Sequence, residues 1–170
     1  MTGRQTALWI INAALLISVA ALTVLGGVQL LIKGRPAPVA LADQPDLRQA
    51  VTEAAATNTA RILTYSADTI EQDIAAGLAV TTGDFAEYYK NFTETAVIPA
   101  AKQKNVKTTA TVPHAGVISI DNPDTATVLV FVNQVVSSTD NPQPNQQGSS
   151  ARVGIHKVDG QWRIASFDPQ

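Results

Sequence analysis

The sequence contains no cysteine, which excludes disulfides, thiolate metal sites, cysteine nucleophiles and lipid attachment through a cysteine side chain. It has only two histidines, His114 and His156, and no set of ligating residues at metal-binding spacing. Nucleophile elbows, phosphate-binding loops and HExxH pairs are also missing. We therefore predict no catalytic residue, no metal and no cofactor, and we expect a protein that is not an enzyme.

The sequence also lacks a basic cluster. All 14 acidic residues lie at or after Asp43, and only nine of the 12 Lys and Arg residues lie there, so this part carries a net charge of −5. Phosphate binding needs concentrated Lys or Arg side chains. We therefore exclude nucleic acid as a partner.

One long uncharged segment lies near the N-terminus. Leu8–Ile32 is rich in Leu, Ile, Val and Ala, and as a helix of roughly 37 Å it would cross a hydrocarbon core of about 30 Å. A cleaved signal peptide is the alternative, with Ala40–Ala42 as its cleavage site, but a signal's apolar region is only about 7–15 residues long. We predict a retained transmembrane helix. The flanking charges, Arg4 on one side and Lys33 with Arg35 on the other, leave its orientation open.

Small side chains recur four residues apart within this segment, at Ala14 and Ser18 and again at Thr23 and Gly27. Such spacing lets transmembrane helices approach closely, although it also arises by chance in Ala-rich segments. The four residues are our candidates for a helix-packing face, with a plain anchor as the alternative.

The remaining pattern predicts one α+β domain. We divide the chain into a short N-terminal tail (1–7), the transmembrane helix (8–32), a Pro-rich linker (33–45) and the domain (46–170). Apolar spacing predicts helices over 46–64 and 66–82 and a third from residue 84, which Pro99 kinks or ends. Capping boxes are predicted at Asp68 with Glu71 and at Asp84 with Glu87.

The second half of the domain changes to strand periodicity. Four strands are predicted, over 107–120, 125–139, 152–158 and 161–167, and 140–150 is predicted to be a mobile loop. Asp159-Gly160 predicts a type I′ hairpin between the last two strands. Three helices followed by about four antiparallel strands indicate a curved sheet that wraps the helices into a cone.

Three residues are candidates for a ligand pocket in the hollow of that cone. Alternation places His114 on the more apolar face of the first long strand, and either Asn133 or Gln134 is expected to face inward. Tyr88 lies on the aromatic side of the third helix. His114 could act as an acid or base only beside a carboxylate, and the second predicted helix offers Asp68, Glu71 and Asp73. The alternative is structural: a hydrogen-bonded or partly exposed histidine, with the tyrosines in the core and at its rim.

Several strings resemble the actinobacterial Mce-associated membrane proteins, and they cover most of the predicted domain in order. They are ILTYSADTIEQDIA (Ile62–Ala75), TTGDFAEYY (Thr81–Tyr89), VIPAAKQKNVKTTATV (Val97–Val112), VLVFVNQ (Val128–Gln134) and KVDGQWRIASFDP (Lys157–Pro169).

The resemblance implies a non-catalytic accessory or stabilising subunit of an Mce-type lipid-import complex in the mycobacterial cell envelope. It implies Mce transporter proteins and membrane lipid as partners, a cytoplasmic N-terminus, a single pass through the plasma membrane and a periplasmic domain. It also implies an NTF2-like, VirB8-like cone with no catalytic residues to carry over. Two alternatives stay open: a membrane-tethered lipid- or sterol-binding module that uses the hollow, and an enzyme of the ketosteroid-isomerase type.

Overall fold

The computed structural model describes Ala40 and Gln44–Gln170. The elements in chain order are α1 (Pro45–Leu63), β1 (Tyr65–Ser66), α2 (Ile70–Leu78), α3 (Gly83–Phe92), a π-helical turn (Thr93–Val97), α4 (Ile98–Lys104), β2 (Lys107–Asn122), β3 (Thr125–Ser137), β4 (Asn145–Val158) and β5 (Gln161–Pro169). The helices precede the long strands and pack on one antiparallel sheet, which confirms the α+β class.

The predicted transmembrane helix 8–32, including Ala14, Ser18, Thr23 and Gly27, lies outside the described residues. Within the described part of the chain, no helix is both long and apolar enough to cross a membrane.

The sheet has five strands in the order β1-β2-β3-β4-β5, one more than the sequence predicts. The additional strand is β1, in which Tyr65 pairs with Thr108 and Ser66 with Lys107. Two residues are too few to show a period in a sequence, so pattern alone does not predict this strand.

β3 lies at the centre of the sheet and carries much of the core. Alternate side chains of β3 and β4 point toward the helices and are buried: Ala126, Val128, Val130, Val132, Ala151, Val153 and Ile155. They pack with helical residues that include Val51, Ile62 and Ile70. β-Branched side chains fit such a pleated, buried surface, which explains why this run forms the central strands.

The hairpin between β4 and β5 has the predicted turn. Asp159 and Gly160 both have positive φ angles, 53° and 78°, as a type I′ turn requires. The tight connection sets the register of the two strands, in which Val158 pairs with Gln161.

The two predicted capping boxes are wrong. α2 and α3 begin after Thr69 and Thr82, and neither residue makes a side-chain capping bond. Within the first junction, the Asp73 carboxylate accepts hydrogen bonds from the Ser66 backbone N–H (3.1 Å) and the Thr69 hydroxyl (2.6 Å). This carboxylate joins β1 to α2, because a Ser, Thr, Asp or Asn side chain readily bonds to nearby backbone.

The third predicted helix continues past Pro99 instead of ending there. A π-helical turn precedes α4, and Pro99, which has no backbone N–H, lies in the first turn of α4 directly after that irregularity. In the turn, the Thr93 hydroxyl donates to the Tyr89 and Lys90 carbonyls at 2.7 and 3.0 Å. Those bonds satisfy carbonyls at the point where the helical ladder is shifted.

The prediction of a mobile loop over 140–150 is wrong for its second half. β4 begins at Asn145, and Asn145–Ser150 pair with β3 in unbroken register. Most of these side chains are exposed to solvent, so polar residues are suited to the positions. Their backbone nevertheless pairs with β3 and extends the hairpin. Side-chain polarity alone therefore does not indicate a loop here.

Thr59 offers a test of core packing in α1. Its side chain is fully buried, and its hydroxyl has no hydrogen-bond partner among the described residues. Burying an unpaired hydroxyl costs about 1–3 kcal/mol, so Thr59→Val should raise the free energy of unfolding by about 1 kcal/mol. Thr93→Val is the matched control, since it removes a hydroxyl that is buried but bonded, and it should lower stability in the same denaturant titration.

Candidate binding cleft

A cavity of about 300 Å³ opens between the helices and one end of the sheet. It is lined by Ile62, Leu63, Tyr65, Ile74, Phe85, Tyr88, Tyr89, Phe92, Thr93, Val97, Gln134, Phe167 and Pro169. No charged side chain is among these lining residues of the described chain. We call this cavity the aromatic cleft, because four of the aromatic rings come from one helix.

The four rings of α3 face the cleft together because of their spacing along the helix. Tyr88 and Tyr89 follow Phe85 by three and four residues, and Phe92 follows them by four and three. All four side chains therefore share one side of the helix. Phe85 lies 6.3 Å from Tyr88 and 6.2 Å from Tyr89 between ring centroids, and Tyr88 stacks on Phe92 at 5.8 Å. The outer two rings are exposed, Tyr88 by 61% and Phe92 by 48%. They form the rim of the cleft.

Tyr89 forms the buried floor of the cleft. Its hydroxyl donates to the Ile62 carbonyl of α1 at 3.2 Å. The ring fits beside α2 only because residue 77 is glycine, since a Cβ there would lie 2.4 Å from the Tyr89 hydroxyl oxygen. Burial, with smaller contributions from Tyr65 and Asp73, raises the pKa of Tyr89 to about 12.

This raised pKa predicts a loss of stability in strong alkali. The folded protein holds the Tyr89 proton up to a pH of about 12, whereas an unfolded tyrosine releases it near 10. Between those values the native state binds more protons than the unfolded state, so stability falls as the pH rises. Unfolding titrations from pH 9 to 12 should show a steeper decline for the wild type than for Tyr89→Phe. Parallel declines would contradict the assignment.

The sheet contributes the opposite wall. Even-numbered residues of β3 point inward, and this places Gln134 in the cleft beside Phe167 and Pro169 of β5. Of the predicted pair, Gln134 is therefore the inward residue. Asn133 points to the outer face, near Gly148 of β4.

His114 also lies on the outer face, so its predicted inward position is wrong. The register between β2 and β3 shifts between Thr111 and His114, and this bulge contains Pro113, which has no backbone N–H to donate. Beyond the bulge the alternation reverses. His114 is exposed and pairs with Phe131, whose ring is exposed on the same face.

The structure does not bring the three predicted pocket residues together. Tyr88 lines the aromatic cleft, while His114 and Asn133 lie on the outer face of the sheet. The carboxylates considered as partners of His114 are used elsewhere: Glu71 pairs with Lys102, and Asp73 holds the start of α2. The sequence left open whether Asn133 or Gln134 faces inward, and Asn133 was the candidate; the alternation of β3 favours Gln134.

The cleft is suited to apolar and aromatic contact. Its polar groups are tyrosine hydroxyls, one amide and the Thr93 hydroxyl, and the Tyr89 and Thr93 hydroxyls already donate to backbone. Neither a carboxylate nor a histidine lines it in the described structure. The described residues also include no group of three or more His, Asp or Glu that could hold a metal ion.

Solved structures share this architecture at low sequence identity. An IcmL-like type IV secretion system protein from Legionella pneumophila has a TM-score of 0.61 at 12% identity, covering 72% of this chain and 91% of that one. The periplasmic domain of DotI has a TM-score of 0.60 at 16% identity, covering 75% and 96%. Agrobacterium tumefaciens VirB8 has a TM-score of 0.55 at 14% identity, covering 79% and 96%. These likenesses confirm a VirB8-like fold.

Sequence comparison finds mycobacterial relatives, and no family model matches the chain. Uncharacterized protein Rv1362c of Mycobacterium tuberculosis is 47% identical over 121 residues, which are 71% of this chain and 54% of that protein. The chain thus spans about half the length of that relative. Outer membrane protein Rv1973 of the same organism is 35% identical over 130 residues, which are 76% of this chain and 80% of that protein. With that identity over most of both sequences, the chain belongs to the same family as Outer membrane protein Rv1973.

Proposed function

We propose that this protein is a non-catalytic subunit of a cell-envelope complex and that it acts through protein–protein contacts. The observation that carries the proposal is the aromatic cleft, which exposes two stacked rings and contains no charged side chain. Tyrosine and other large aromatic side chains supply much of the binding energy at protein interfaces. The cleft would therefore bind an apolar segment of a partner.

The rim of the cleft favours contact with a macromolecule. Tyr88 and Phe92 of α3 are both exposed to solvent in the described domain. Contiguous exposed apolar surface on a small domain often marks an interaction site. Phe85 packs against Tyr88, and Tyr88 stacks on Phe92, so the two exposed rings are held in place and little side-chain entropy is lost on binding.

The proposed compartment is the cell envelope. Support comes from the name of the relative Rv1973, which calls that protein an outer membrane protein, and from the periplasmic origin of the DotI domain. We propose anchoring in the plasma membrane, because the uncharged segment 8–32 has the length of a membrane-spanning helix and exceeds a signal sequence. The domain would then lie on the periplasmic side.

The proposed partners are Mce transporter proteins. The strings that resemble Mce-associated membrane proteins support this assignment, and each of the five strings contributes at least one residue to the cleft. An accessory or stabilising subunit needs a contact surface and an anchor but no catalytic group. The described domain has a surface of that kind.

Affinity purification tests this proposal. The full chain with a C-terminal tag, expressed in a mycobacterial host and extracted in mild detergent, should recover Mce transporter proteins identified by mass spectrometry. An untagged strain controls for nonspecific capture. Recovery of the tagged chain alone, from cells shown to express the transporter, would contradict the assignment.

A second candidate is a lipid- or sterol-binding module, which the cavity volume of about 300 Å³ favours, since small-molecule sites begin near that size. The purified chain should then carry bound lipid detectable by mass spectrometry after solvent extraction. Val97→Phe adds volume inside the cleft and should reduce that lipid, while Val135→Phe on the outer face should not.

An isomerase-type enzyme is not proposed, because the lining residues offer no carboxylate or histidine as general base.

A further inference from the structure

One strand of the sheet has an unpaired edge, formed by Asn145–Ser149 of β4. β5 pairs with β4 only from Ala151 to Val158, and Gln170 bonds to Ser150, so Asn145–Ser149 extend past the paired segment. Within the described part of the chain, β3 is their only strand partner. We call this segment the β4 edge.

Two residues of the β4 edge direct their backbone groups away from β3. The Ser150 carbonyl accepts a hydrogen bond from the Gln170 N–H at 2.9 Å, on the β5 side. Because backbone direction alternates along an antiparallel strand, Gln146 and Gly148 also face that side. Among Ala40 and Gln44–Gln170, no backbone group bonds to them on that side, so each presents one N–H and one C=O for pairing.

The available edge is short and has defined limits. Pro144 precedes it and has no N–H to offer, and the Ser150 carbonyl after it is already bonded to Gln170. A partner strand therefore meets two donors and two acceptors in the middle of a five-residue stretch.

The other edges of the sheet carry features that prevent pairing. β2 contains Pro113 and three register irregularities, which twist and interrupt its free side. On the outer side of β5, Ile164 exchanges backbone hydrogen bonds with Val80 and Thr82 at 2.8 Å each. The β4 edge has neither a proline nor a charged residue from Asn145 to Ser149. Natural proteins usually protect such an edge.

We infer that the β4 edge binds the β4 edge of a second copy of this chain. Two antiparallel copies related by a two-fold axis at Gln147 would pair Gln146 of each with Gly148 of the other. That register satisfies all four free groups in each copy, and a two-fold interface is closed and does not propagate. This register also leaves the hydrogen bond between the Gln170 N–H and the Ser150 carbonyl intact.

The charge distribution favours this edge for self-association. The part of the chain from Asp43 onward has a net charge of −5, so two copies repel each other over much of their surfaces. Residues 141–151 contain no charged side chain, and screening limits repulsion from charges more than about 8 Å away. The inference does not depend on the proposed function.

Cysteine crosslinking tests the register, because the native chain has no cysteine. At a non-hydrogen-bonded antiparallel pair such as Gln147 with its copy, the Cα atoms lie about 4.5 Å apart, within the range of a disulfide. Gln146 and its copy would lie about 8 Å apart. In the full chain in mild detergent with a copper–phenanthroline oxidant, Gln147→Cys should give roughly tenfold more disulfide-linked dimer than Gln146→Cys.

Two further variants test whether backbone pairing drives the crosslink. In the Gln147→Cys background, Gly148→Pro removes a free N–H and should reduce the dimer to the level of Gln146→Cys, whereas Gly148→Ala should leave it unchanged. Gln161→Cys, in the distant hairpin, measures random collision. Equal yields from positions 147, 146 and 161 would overturn the inference, and so would an undiminished crosslink in Gly148→Pro.

Discussion

Gly77→Ala should destabilise the domain by a net of about 1–3 kcal/mol, even though alanine is the better helix former by about 1 kcal/mol. A Cβ at position 77 would lie 2.4 Å from the Tyr89 hydroxyl oxygen and 3.0 Å from its Cζ. The ring must then move, which strains the core by about 1–3 kcal/mol and removes the Tyr89–Ile62 hydrogen bond, worth about 1 kcal/mol. The sign of the effect is thus opposite to helix propensity.

Denaturant unfolding measures this loss. In a Trp9→Phe background Trp162 is the single tryptophan, and its fluorescence reports on β5. Gly148→Ala is the matched control, since its Cβ would meet nothing nearer than 3.7 Å. Adding Tyr89→Phe to Gly77→Ala removes the closest atom and should restore part of the stability. A neutral or stabilising Gly77→Ala would show that Tyr89 does not lie against α2.

Ile164→Ala should cost about 2–5 kcal/mol, the usual range for removing most of a buried isoleucine side chain. Ile164 is fully buried in β5, and its backbone bonds to Val80 and Thr82 join the sheet to the segment between α2 and α3. A cavity at this residue would loosen both contacts. Because small domains are stable by only about 5–15 kcal/mol, the variant should unfold at a much lower denaturant concentration.

The matched control for this substitution is Ile118→Ala. Ile118 is an isoleucine of the same sheet but is exposed, so its truncation should change stability by no more than about 0.5 kcal/mol. The difference between the two midpoints, measured in the Trp9→Phe background, isolates the effect of burial. Similar losses for both would contradict the placement of Ile164 in the core.

The elements that follow from local rules could be predicted from the sequence. Asp159-Gly160 specifies its turn through backbone conformation alone, and the β-branched run of β3 needs a buried sheet. The aromatic spacing of α3 likewise requires one shared helix side. In each case the signal lies within a few neighbouring residues, and the structure agrees with it.

The features that depend on distant residues could not be predicted. β1 exists only because Thr108 and Lys107 of β2 lie beside it. The ordered start of β4 depends on pairing with β3 and not on its own polar side chains. The capping boxes predicted at Asp68 with Glu71 and at Asp84 with Glu87 do not form, because the helices begin one or two residues away from the predicted caps, after Thr69 and Thr82.

The candidate pocket shows how a single bulge changes a site prediction. Strict alternation along β2 would have placed His114 inward, beside the helices. The irregularity at Pro113 moves it to the outer face, and the error extends to every residue chosen because it could reach His114. Tyr88 was predicted from helix spacing, which tolerates such shifts, and it does line the cleft.

If the exposed rim of the aromatic cleft holds an envelope partner, removing the rim should release that partner, whereas removing exposed side chains elsewhere should not. Tyr88→Ala with Phe92→Ala removes the rim, while Phe131→Ala with Val135→Ala removes two large apolar side chains exposed by 47% and 40% on the opposite face of the sheet. The measurement is the amount of Mce transporter protein recovered with each tagged full-length variant, normalised to the tagged chain. Recovery should fall at least tenfold for the rim variant and stay at the wild-type level for the sheet variant, since each well-placed aromatic contributes about 2 kcal/mol or more at an interface. Equal recovery from the two variants would show that the rim of the aromatic cleft does not hold the partner.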